Sequence, residues 1–177
     1  ARHRLSVALH VLRRGLGEGC LTTSGDLVAL DASKVWSDVG AFLEALDEGR
    51  LEKAVELYRG PFLDGFFLSG APEHGRWVED QRNRLATLYR SALERLVEEA
   101  EHVGDVGAAI RWWRRLTAHD PFSTSAALGL MRALAAQGDH TGAIHHGRAH
   151  ATLVEAELGV PPDPKVLKLG SELRAVV

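Results

Sequence analysis

Three features of the sequence predict an all-α chain built as an array of antiparallel helix pairs, preceded by one small helix and a β-hairpin. Apolar residues recur at helical spacing along most of the 177 residues, a Gly-Asp pair repeats at a fixed interval, and one short β-prone stretch interrupts the pattern near the start. A chain of this length can bury one sizeable core with a smaller appendage. Its 45% apolar and 25% charged residues give the balance of a folded globular protein, not of a disordered tail.

Leu5, Leu9, Leu12 and Leu16 recur at intervals of four, three and four, which puts them on one helix face with Ala8 at its edge. His3, Val7, His10 and Arg14 fall opposite, and Gly15 and Gly17 close the helix. From Cys20 to Leu30, two β-prone runs flank Ser24-Gly25-Asp26, the pattern of a hairpin. The helical period returns with Trp36, Val39, Phe42, Leu43 and Leu46 on one face, then Leu51, Ala54, Val55 and Tyr58 on the next. A loop through Gly60-Pro61 and the Phe62–Leu68 cluster runs to Pro72. Trp77, Leu85, Leu88, Leu96 and Val97 then mark a long helix that stops near Gly104.

Gly104-Asp105 and Gly138-Asp139 lie 34 residues apart, the period of tetratricopeptide helix pairs. Ala109 and Ala143 each sit five residues after their glycine, and Gly49 has Ala54 at the same offset. A small residue there lets two helices approach closely, and the glycine suits the left-handed turn between them. Asp120-Pro121 ends a helix, because proline disfavours helical geometry in the residue before it. The array is therefore tetratricopeptide-like, and the expected division is residues 1–33 for the helix and hairpin and 34–177 for the helix pairs.

The charge is unevenly spread. Of the formal net charge of −3, residues 1–17 hold +4 through Arg2, Arg4, Arg13 and Arg14 with no acidic residue, and the remainder holds −7. Contact with phosphate is expected at the N-terminal end alone. No apolar stretch approaches the length of a membrane span, no signal-peptide pattern opens the chain, and Cys20 is the single cysteine, so no disulfide framework or membrane partner is expected and cytoplasmic localisation is the default. Glu73-His74 and Glu79-Asp80 offer acid and base types without a nucleophile, helical neighbours diverge, and no phosphate-cradling glycine loop occurs. Neither an enzyme nor a cofactor is expected.

Four spaced motifs add a resemblance. Tyr58-Arg59-Gly60-Pro61-Phe62-Leu63-Asp64-Gly65-Phe66, then Trp77 with Arg82 and Leu85, then Asp120-Pro121 leading to Leu130-Met131, and Glu157-Leu158-Gly159-Val160-Pro161 follow in order. Together they resemble the bacterial transcriptional activator domain of the Streptomyces antibiotic regulatory protein (SARP) family, over roughly residues 36–170. In that family an OmpR-type winged helix-turn-helix precedes the domain. Leu9 to Gly17 resembles its recognition helix and Leu21 to Leu30 its wing, with Leu27-Val28 where an aromatic residue is usual. Residues 1–33 are then a partial winged helix, and the opening of the chain inside the recognition helix leads us to expect further elements before it. The resemblance implies a transcriptional activator that binds promoter DNA through a complete winged helix, self-associates as a homodimer and contacts RNA polymerase. The alternative is a helical-repeat module that binds a protein or senses a ligand without binding DNA itself.

On the recognition-helix reading, Arg4, Val7, His10 and Val11 stand nearest the bases, Arg13 and Arg14 meet phosphates, Thr22 or Thr23 of the wing approaches the neighbouring backbone, and Arg2 belongs to the same DNA-binding set. The same pattern also fits a solvated basic face. Trp112-Trp113 and Phe66-Phe67 are adjacent aromatics that cannot both point into one core, so each pair is either a partner anchor or absorbed at a helix junction. His145, His146 and His150 form an H-H-x-x-x-H run, in which His146 and His150 share a face at the i, i+4 spacing of some zinc sites. Two ligands on one face fall short of the three or four zinc requires, so no metal is expected.

Overall fold

A computed structural model describes residues 2–25 and 27–176, with side chains from Arg4 onward; the side chains of Arg2 and His3, and Asp26 of the predicted turn, lie outside the described residues. Among the described residues the chain is all-α apart from one hairpin. Helix α1 (Arg2–Leu16) leads to strands β1 (Leu21–Ser24) and β2 (Leu27–Leu30). Seven helices follow: α2 (Asp38–Asp47), α3 (Leu51–Leu57), α4 (Pro72–His102), α5 (Val106–His119), α6 (Thr124–Ala136), α7 (His140–Leu158) and α8 (Pro164–Arg174). The chain divides after Arg59 into two compact units, so the stretch 34–177 read from sequence as one domain is shared between them.

In the first unit α2 packs on α3, burying Phe42 and Ala45 against Leu51, Ala54 and Val55. The Phe42 and Tyr58 rings meet at 5.9 Å. Ser37 caps α2 by accepting from the Gly40 amide. Because the helix starts there, Trp36 lies before it and is 74% exposed, so the face expected to begin at Trp36 begins instead at Val39.

In the second unit α4, α5, α6, α7 and α8 pack consecutively, and α6 also meets α8. The core gathers Ile110, Leu128, Leu130, Met131, Leu134, Ala143, Val166 and Leu173. On α4 the buried stripe starts at Val78 and continues through Leu85, Tyr89, Leu93, Leu96 and Val97, whereas Trp77 is half exposed. The stripe follows the rotation of a 31-residue helix whose first turns pack against a loop instead of a helix.

The repeat holds at atomic level. Gly49, Gly104 and Gly138 all adopt left-handed backbone, with φ of 71°, 73° and 88°. After each, the next amide donates back across the turn: Arg50 to the Ala45 carbonyl, Asp105 to Ala100 and Asp139 to Leu134. This pattern satisfies carbonyls that the helix end leaves without partners. Ala54, Ala109 and Ala143 are buried, as the close approach of paired helices requires. The copies differ at the residue after glycine. Asp105 and Asp139 accept from the amides of Ala108 and Gly142 and so cap α5 and α7, whereas Arg50 makes no such bond.

Candidate functional site

Helix α1 is held to the hairpin by a short link. The Gly17 amide donates to the Arg13 carbonyl, Gly17 takes φ 97°, and the buried Cys20 thiol donates to the Leu16 carbonyl at 3.0 Å. Strands β1 and β2 are antiparallel, with Leu21 opposite Leu30, Thr22 opposite Ala29, Thr23 opposite Val28 and Ser24 opposite Leu27. Thr22 and Thr23 both lie on the exposed β1, but neighbours on a strand point to opposite faces, so the two threonines serve different sides of the hairpin. The Thr22 hydroxyl turns back to the Ala29 carbonyl at 3.4 Å.

All the described side chains of α1 named from sequence are exposed: Arg4, Val7, His10, Val11, Arg13 and Arg14. At 3.6 residues per turn, Arg4, Val7, Val11 and Arg14 form one stripe with His10 beside it, while Arg13 turns toward the leucine face. Arg13 and Arg14 occupy the last turn, where cations are favoured by the helix dipole. Among the described residues the leucine face is open at Leu5, 56% exposed, and at Leu12, 47% exposed, while Leu9 is partly buried.

The first turns of α4 gather the loop motif. Arg82 donates through Nε to the Phe62 carbonyl at 2.8 Å and through Nη2 to the Leu63 carbonyl at 2.9 Å, while pairing with Glu79. Phe62 meets Trp77 edge-on at 5.6 Å, and His74 stands between Trp77 and Phe66. The co-occurrence of the Tyr58–Phe66 words with Trp77 and Arg82 thus has a physical cause, since one guanidinium closes a loop in which Leu63 adopts φ 49°. Phe66 is half exposed and Phe67 is 94% exposed.

The second aromatic pair is divided differently. Trp112 is buried, with the guanidinium groups of Arg111 and Arg115 over its ring at 5.7 and 5.9 Å. Burial removes Trp112 from any partner surface. Trp113 is half-buried, donating from its indole N–H to Glu101 at 3.0 Å, and its ring lies against Gly129, where any Cβ would come within 2.4 Å. Only glycine lets α6 approach that ring, a constraint with no local sequence signal.

On α7, His150 is 5% exposed and its Nδ1 stands 3.1 Å from the Pro121 carbonyl, which can only accept, so Nδ1 carries the proton. Burial, followed by the charges of His150, His145 and Arg114, holds His146 below the ordinary histidine pKa. Among the described residues no three His, Cys, Asp or Glu side chains converge to hold a metal ion.

No helix among the described residues is long and apolar enough to cross a membrane. The family model described as the bacterial transcriptional activator domain matches residues 31–174. No curated protein matches the chain.

Proposed function

The chain belongs to the bacterial transcriptional activator domain family, a transcription-regulator family and not an enzyme family, and from that premise we propose that it is the activator region of a SARP-type regulator. In this reading residues 2–30 are the recognition helix and wing of a winged helix-turn-helix that binds promoter DNA. The helical array self-associates as a homodimer on DNA and contacts RNA polymerase in the cytoplasm. The observation that carries the reading is the exposed Arg4-Val7-Val11-Arg14 stripe. It lies at the basic end of an otherwise acidic chain, on a helix that is followed within five residues by an antiparallel hairpin.

The test is a titration of promoter duplex into a protein that carries the complete winged helix, at a series of salt concentrations. Replacing Arg13 and Arg14 by glutamine is expected to flatten the slope of log K against log salt by about 1.8, from about 0.9 per phosphate contact. Retention of the full slope removes both arginines from the phosphate contacts. A second reading, a protein-interaction module with no DNA binding of its own, draws support from the exposed Phe66 and Phe67, with the edge of Trp113 as a further contact.

A further inference from the structure

Where α7 and α8 lie side by side, a pocket of about 250 Å³ opens between Ile144, Gly147, Ala151, Val166, Leu167 and Gly170. Its floor is apolar. Met131, fully buried, reaches up from α6 so closely that a Cβ on Gly147 would fall 2.7 Å from its Cε, and one on Gly170 would just touch it at 4.0 Å. The bare backbone of these two glycines therefore forms part of the wall.

The rim has a different character. Arg148 and Arg174 also line the pocket, and both are solvent-exposed, which puts them on its open side. Arg174 donates through Nε to the Gly170 carbonyl at 3.0 Å and through Nη2 to the Ser171 hydroxyl at 3.4 Å, which ties its guanidinium to the last turn of α8. Among the described residues neither arginine meets a carboxylate, although the chain is acidic overall and the nearby Glu172 pairs with Lys168 at 3.7 Å. Two guanidinium groups without an acidic partner, at the lip of an apolar hollow, present donors to an anion whose body is apolar. A bare anion gains little from exposed, screened arginines, and a neutral apolar molecule leaves them unused.

We propose that this pocket binds a small apolar carboxylate. At about 250 Å³ the pocket suits a short chain or a single ring and not a drug-sized ligand. The carboxylate meets Arg148 and Arg174 while the body lies on Ile144, Val166 and Leu167. The site goes beyond the regulatory reading and does not depend on it.

The probe is octanoate, titrated into the whole chain while the methyl resonances of Ile144, Val166 and Leu167 are followed by NMR, with octanol and acetate as matched controls. Octanoate is expected to saturate one site and to shift these methyls together. Octanol should bind about tenfold more weakly, and acetate should produce no saturating shift. Arg148→Gln alone should weaken octanoate about threefold, and Arg148→Gln with Arg174→Gln about tenfold, with octanol unchanged in both. Arg148 is exposed and makes no hydrogen bond or ion pair among the described residues, so its substitution leaves the fold intact and keeps the test decisive if the double variant is destabilised. Equal affinity for octanoate and octanol, shifts dispersed over the exposed leucines of α1 instead of the pocket, insensitivity to Arg148→Gln, or absence of saturation would each overturn the proposal.

Discussion

Helices α1 and α6 make a pair whose sequences and fates diverge. The first places four leucines at helical spacing opposite a polar face, yet Leu5 and Leu12 remain about half exposed. The second carries apolar residues nearly all round and buries Ala126 through Met131 and then Ala133 and Leu134. Periodicity selects the helix and the side it would bury, but a neighbour supplies the burial. Helix α6 has neighbours in α5, α7 and α8, whereas the leucine face of α1 has no comparable cover among the described residues.

The largest expected contrast follows directly. Met131→Ala should cost about 3 kcal/mol, because Met131 is fully buried and its thioether packs on Gly147, so truncation leaves a cavity. Leu12→Ala, at a half-exposed site, should cost less than about 0.5 kcal/mol. Urea midpoints of the two variants check both figures. A cost near 2 kcal/mol for Leu12→Ala would mean that the leucine face is covered in solution, and the contrast would fail.

A smaller difference is expected at the turns of the repeat. Asp105→Ala and Asp139→Ala each remove a side-chain cap and should each cost about 1 kcal/mol, whereas Arg50→Ala, which removes none, should fall within about 0.5 kcal/mol. Thermal or denaturant midpoints would show whether the first unit tolerates at this turn what the second does not. Equal losses at all three positions would show that the turn backbone, and not the aspartate, governs.

The smallest effect is one of pH and belongs to the second unit alone. His146 is held below its ordinary value of 6.5, chiefly by burial and then by the charges of His150, His145 and Arg114. The unfolded chain therefore takes up the proton more readily than the folded one. The His146 contribution is fully present above about pH 6.5 and declines as pH falls through that value toward the folded pKa. Between pH 7.5 and 5.5, wild type should lose more stability than His146→Gln. A parallel decline in both would remove His146 as the cause.

Much of the fold was legible because its causes are local. Glycines at 49, 104 and 138, each followed five residues later by alanine, announce three left-handed turns before close helix pairs, and all three turns form. The hairpin also forms where two β-prone runs flank a glycine. One expectation fails for a specific reason. Trp36, expected on the first face of α2, lies before the cap Ser37 at which that helix starts, because a large aromatic at roughly the right spacing resembles core until its neighbours are known. Trp77 does lie on α4, half exposed beside the buried Val78. Of the candidate site, the basic side chains of α1 could be named from sequence. The loop closed by Arg82 could be recognised only as words recurring together.

The sequence by itself determined where helices begin, turn and end, since capping residues, glycine geometry and apolar period act over a few residues. Only the tertiary structure decided which faces are covered, that Trp113 excludes every residue but glycine at position 129, that Trp112 is spent on the core, and that Arg148 and Arg174 share one pocket rim. Those outcomes depend on contacts between residues far apart in the chain, set by how helices stack, and local pattern does not encode that distance.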